Sequence, residues 1–117
     1  MPGLATFIQD GDTIDYTPPS GGTNVAVGDV ILQGDLIGVA NQSIAAGAPG
    51  SLSVTGVFDF TKATGVGTAI ALGVNVYWDD TLKQAVDTDA VGVNKLIGKS
   101  VAAAVDADPT VRVRLSQ

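Results

Sequence analysis

One short phrase recurs along this chain and constrains its fold more than any other feature. It reads VAVGDVIL at 25–32, IAAGAPGSLSV at 44–54 and IALGVNVYW at 70–78. Each copy opens on a β-branched residue (Val25, Ile44, Ile70), continues with two apolar residues, and reaches Gly28, Gly47 or Gly73 before a candidate strand. Glycine takes positive φ at little steric cost, so the phrase describes a chain that turns and then runs extended. The copies begin 19 and then 26 positions apart, which rules out a fixed-period solenoid. The expectation is one barrel or sandwich corner used three times.

The acidic residues support the same reading. All 12 are Asp, and Glu is absent; Asp favours caps and turns, whereas Glu favours helix interiors. Period-2 alternation follows the phrases. Val74, Val76 and Trp78 share one face, with Asn75, Tyr77 and Asp79 on the other; Val54, Gly56, Phe58 and Phe60 share another. The clearest half-buried strand sets Val111, Val113 and Leu115 against Arg112 and Arg114. Turns are expected at 79–82 and at 106–109, both rich in Asp. Helical periodicity is weak, with room for one short helix at most, near Lys62–Leu72. The predicted class is mainly β, a small antiparallel β-barrel or β-sandwich with an extended N-terminal arm.

That arm is read as residues 1–22, with a core domain over 23–117. Apolar Phe7, Ile8, Ile14 and Tyr16 lead to Pro18-Pro19 and Gly21-Gly22, a run that stops any regular ladder. On this reading, deleting residues 1–19 leaves a folded domain.

Chemistry has little to work with. The 117 residues contain no Cys and no His, which removes disulfides, thiolate ligands and the usual base near neutral pH. No cofactor, catalytic group or metal site is expected. Gly98-Lys99-Ser100 ends like a phosphate-binding loop, but that loop needs a Gly five positions before its second Gly. Val93 stands there, and an alternating strand follows where a helix should open. The Asp10/Asp12/Asp15 and Asp87/Asp89 clusters lack calcium-loop spacing and read as turn residues. Lys83, near a hairpin tip, sits past the apex where a carrier lysine would be displayed. Ser and Thr are plentiful but lack a base. A net charge of -6 disfavours nucleic acid, and no apolar stretch is long enough to span a bilayer. MPGLATFIQD has neither the basic start nor the apolar centre of a secretory signal.

Read as a whole, the chain resembles a family of short tailed-phage proteins that act as capsid cement, or head decoration. The resemblance is carried, in order, by ATFIQDGDTIDYTP, GDVILQGDLIGVA, IAAGAPGSLSVTGVFDFTKA, TAIALGVNVYWDD and LIGKSVAAAVDADPTVRVRL. Members of that family are sometimes labelled RecA/RadA-type recombinases, a label that the position of Val93 and the missing helices oppose. The resemblance implies a structural protein and no enzyme. It would be made in the host cytoplasm and placed on the outer surface of the expanded head, as a homotrimer bridging major capsid protein subunits against the pressure of packaged DNA. Neither nucleic acid nor membrane would be a partner. Extended arms can add to a neighbour's sheet through main-chain hydrogen bonds, so Thr6, Phe7, Ile8, Ile14, Tyr16 and Pro18 are the candidate capsid or subunit contacts. Tyr77, facing away from the expected core, joins them. The alternative is a virion surface module that binds carbohydrate or the host surface; Tyr16 and Tyr77 are the aromatics it could use.

Overall fold

Gly28, Gly47 and Gly73 all adopt positive φ, at 88°, 79° and 78°, and each turns the chain toward a strand. In the computed structural model, which describes residues 4–117, every element is a strand: β1 (Thr13–Tyr16), β2 (Val30–Gln33), β3 (Leu36–Ala40), β4 (Gly50–Ser53), β5 (Gly56–Thr61), β6 (Asn75–Asp79), β7 (Gln84–Val86), β8 (Lys95–Ser100) and β9 (Thr110–Leu115). No helix occurs among the described residues, and 62–72 is a loop carrying single bridges. The antiparallel strands form two sheets, ordered β1-β4-β3-β2 and β5-β9-β8-β6-β7. They pack like a sandwich. The second sheet curls until Lys62 and Ala85 make one parallel bridge, so the barrel alternative is approached without a closed ladder.

The β-branched residue that opens each phrase forms an isolated bridge. Val25 pairs with Ile44 through two amide-to-carbonyl bonds of 2.8 and 2.9 Å. Ile70 pairs in the same way, at 2.9 and 2.8 Å, with Ala104. Ala104 therefore heads a fourth corner that the sequence pattern did not disclose, because Ala107 replaces the glycine and the turn closes without positive φ. Asp108 supports it instead, its carboxylate accepting from the Val105 amide (2.9 Å) as Asp29 accepts from Ala26 (2.9 Å).

Four corners in two pairs make the chain a duplication. The Gly28 amide donates to the Ala40 carbonyl as Gly73 does to Ser100, and Ala40 donates to Asp29 as Ser100 does to Val74. Leu36-Ile37-Gly38 in β3 matches Leu96-Ile97-Gly98 in β8, with both isoleucines wholly buried. Ile70 follows Val25 by 45 positions, whereas Gly98 follows Gly38 by 60. The difference is an insertion: β2 and β3 join through Gly34-Asp35, while β6 and β8 are separated by 80–94, which carries β7.

The principal core lies between the sheets, where Ile37 and Val39 meet Phe60, Val76, Trp78, Ile97, Val111, Val113 and Leu115. Phe60 packs tilted against Trp78 (6.0 Å between centroids) and edge-on to Phe58 (6.1 Å). A smaller cluster of Val25, Ala40, Ile44 and Leu52 closes the outer face of the first sheet. Alternation in β9 is complete, with Val111, Val113 and Leu115 inside and Arg112 and Arg114 outside, as its sequence predicts.

The structure divides the expected 1–22 arm. Residues 4–12 run outside both sheets with every side chain exposed. β1 pairs with β4 from Thr13↔Ser53 to Tyr16↔Gly50, Ile14 and Tyr16 pack on the smaller cluster, and Pro18 is fully buried. The expectation that residues 1–19 are dispensable therefore needs correction: that deletion would remove an edge strand and a core residue. A cut after Gly11 spares both.

Candidate functional site

Two surface features offer binding capacity, and they are complementary in kind. The first is the segment before β1. Leu4, Phe7 and Ile8 expose 97, 80 and 80 % of their area, an expensive display for large apolar groups in water. The six residues 4–9 (LATFIQ) carry no charge, and Asp10-Gly11-Asp12 then ends the apolar run. Asp12 is the anchor. Its carbonyl accepts from the Val54 amide (3.0 Å) and its carboxylate from the Thr55 hydroxyl (3.2 Å). Of the sequence-predicted contacts, Thr6, Phe7 and Ile8 thus lie together on exposed irregular chain, Ile14 and Tyr16 are half-buried in β1, and Pro18 is inside. Tyr77 is half-buried on the outer side of β6, paired with Val86 and Leu96.

The second feature is a groove of about 510 Å³ between the sheets. Four consecutive residues that lead into β2 (28–31, the last two within it) and four from β5 (58–61) line it. Lining by consecutive residues means that strand edges, rather than faces, border it. Both are edge strands. Val30, Val39, Phe58, Phe60 and Trp78 give the groove an apolar floor. Its charged rim is already satisfied. Asp59 pairs with Arg112 (2.9 Å) across β5 and β9, Lys83 pairs with Asp80 (2.7 Å), and Asp29 caps its own turn. The Arg112 guanidinium, through its hydrogen bond first and its charge second, holds the Asp59 carboxyl below its ordinary value of 3.8. Sequence reasoning missed this groove because its two walls lie far apart in the chain.

Of the residues that suggested chemistry, Asp12, Lys83, Asp89, Lys99 and Ser100 have structural partners. Gly98-Lys99-Ser100 forms the end of β8. Lys99 points outward and donates to the Asn75 side chain (2.7 Å), while the buried Ser100 hydroxyl accepts from the Val74 amide (3.2 Å) and donates to the Ala71 carbonyl. A phosphate loop needs free backbone amides at a helix N-terminus, whereas these residues pair with β6 and β9. The Asp89 carboxylate accepts from the Val91 amide (3.2 Å), and that of Asp79 accepts from Thr81 and Leu82 (3.0 and 3.1 Å). These are turn duties. Lys99 also stands opposite Arg114, a like-charge pair that an otherwise acidic sequence did not lead us to expect.

The candidate surface is therefore an uncharged apolar arm, a groove between two strand edges, and a β scaffold that holds both. No curated protein and no solved structure matches the chain significantly. The family model for phage cement proteins matches residues 8–115, nearly the whole length and both halves of the duplication; the chain belongs to the phage cement protein family.

Proposed function

We propose that this protein binds the outer surface of an expanded tailed-phage head, as a trimer, and bridges neighbouring major capsid protein subunits against the pressure of packaged DNA. Family membership carries the coarser statement, a structural role on the phage capsid. The finer reading rests on the exposed apolar arm. A segment that presents Leu4, Phe7 and Ile8 to water gains most when a partner covers it, and chain that belongs to neither sheet of its own fold is free to add as a strand to a neighbour. Weak contacts suffice here, because a trimer that engages several subunits gains by effective concentration. The acidic surface, with a net charge of -6, keeps copies soluble before assembly and disfavours capture by DNA.

The test of stabilisation uses DNA-filled heads stripped of the protein and then recoated. Coated heads are expected to release DNA at a higher temperature than bare ones, and a coat lacking residues 1–11 to give little protection. Equal release temperatures for coated and bare heads would refute the cement role.

A further inference from the structure

The duplication supplies a template for what is missing from the groove. In the second unit, β7 covers the outer edge of β6 with three antiparallel pairs, Tyr77↔Val86, Trp78↔Ala85 and Asp79↔Gln84, and buries Ala85. The matching strand in the first unit is β2, and no strand covers its outer edge among the described residues. That open edge forms one wall of the groove, and β5, met by β7 only through the Lys62–Ala85 bridge just past its end, forms the other. A two-residue turn closes β2 and β3 at Gln33↔Leu36, so the alternation of an antiparallel ladder leaves the backbone groups of Val30 and Leu32 pointing outward. The vacancy has the form of one short extended strand with apolar side chains.

We infer that residues 4–9 of a second copy of this chain fill the groove, adding as a strand along β2 with Phe7 or Ile8 seated over Phe58 and Trp78. Three observations select this occupant. The groove's charges are paired among themselves, so it favours an uncharged guest, and 4–9 is an uncharged apolar run. That run is irregular and exposed, outside both sheets and with no strand partner of its own among the described residues. It leads into β1, which lies at the opposite edge of the first sheet from β2, so the arm leaves each copy on the side away from its own groove. Arm into groove is a heterologous contact, the kind that closes into a ring when the rotation allows. The inference deepens the trimer part of the proposed function and rests on it for its setting, many copies side by side on one shell.

The absence of cysteine allows a clean test on free protein, without heads. Ile8→Cys and Val30→Cys are made separately, the first with an affinity tag and the second without, and the two are mixed and oxidised. The expected result is a heterodimer linking tagged arm to untagged groove, in at least tenfold excess over either homodimer. Deleting residues 1–11 from the otherwise unchanged chain should convert a sedimenting multimer to monomer while leaving the β-sheet circular dichroism intact. A monomeric full-length protein with no heterodimer would overturn the inference. So would a disulfide formed within one chain carrying both cysteines. Head binding is measured separately; loss of head binding with the cross-link retained would count against the cement reading and leave arm exchange standing.

Discussion

Within one wiring, the two units carry different loads. The first, β1–β4, closes its outer face with the aliphatic side chains of Val25, Ala40, Ile44 and Leu52, and no strand among the described residues covers the β2 edge. The second, β5–β9, contributes Phe60, Trp78, Ile97 and the β9 row to the principal core and covers its equivalent edge with β7. A fully buried aliphatic or aromatic side chain stabilises by about 1.5–3 kcal/mol relative to exposure, so most of the hydrophobic stabilisation belongs to the second unit. The comparison teaches a division of labour: the second unit supplies most of the shared core and covers its edge with β7, while the first carries the exposed arm and the open β2 edge.

The matched glycines give the sharpest contrast. A Cβ at Gly98 would overlap the backbone carbonyl of Arg114, which cannot swing away, whereas a Cβ at Gly38 would meet the Leu52 side chain at 2.7 Å. Gly98→Ala is therefore expected to prevent folding or to cost more than about 4 kcal/mol, an exceptional value for a point change. Gly38→Ala should cost about 1–3 kcal/mol, as overpacking does. Urea titration of both variants decides the matter, and equal costs would break the asymmetry.

Core truncation comes next. Trp78→Ala is expected to lose about 3–5 kcal/mol and Leu52→Ala about 2–5 kcal/mol. The informative feature is the shape of the transition. Ile37 and Val39 of the first unit are buried in the shared core, so both variants should unfold in a single step, followed equally by far-UV circular dichroism and by tryptophan fluorescence for Leu52→Ala. Two steps in Leu52→Ala would show that the units melt independently.

Gln117 offers an intermediate effect. Its side chain accepts from the Ile37 amide (2.6 Å) and donates to the Ile37 carbonyl (2.8 Å), standing in for a strand partner between β3 and the end of the β9 chain. Gln117→Ala should cost about 1–3 kcal/mol, because partly buried backbone groups lose their partner.

The smallest effect concerns Asp59. Its carboxyl is held below the ordinary value, so its stabilising contribution is present at neutral pH and is lost as pH falls below 3.8 toward the folded-state value. Both partners are largely exposed, so the contribution is small. Asp59→Asn should lower the thermal midpoint slightly at pH 7, and the difference from the unchanged chain should vanish at the acid end of a pH series.

Much of this was legible in the chain, for stated reasons. Glycine after two apolar residues marked three corners, because a positive φ leaves a compositional trace. The fourth, at Ala104, left none, since Asp108 and a turn without positive φ do the same work. Alternation disclosed β9 because its outer face is charged, but β2 and β3 carry apolar residues toward both clusters and lack a clean period. Thr6, Phe7 and Ile8 were readable as exposed because strand-breaking residues follow them; Ile14, Tyr16 and Pro18 were not, since an edge strand and an arm have the same local pattern. The groove could not be read at all. Its walls at 28–31 and 58–61 meet only through packing of the two sheets.

The most direct test of the account is co-sedimentation of the purified protein with expanded, undecorated heads of the matching phage, with unexpanded shells alongside. Saturable binding to expanded heads alone, reduced at least tenfold by removal of residues 1–11, is the predicted result. Binding to neither form, or equal binding to both, would contradict it.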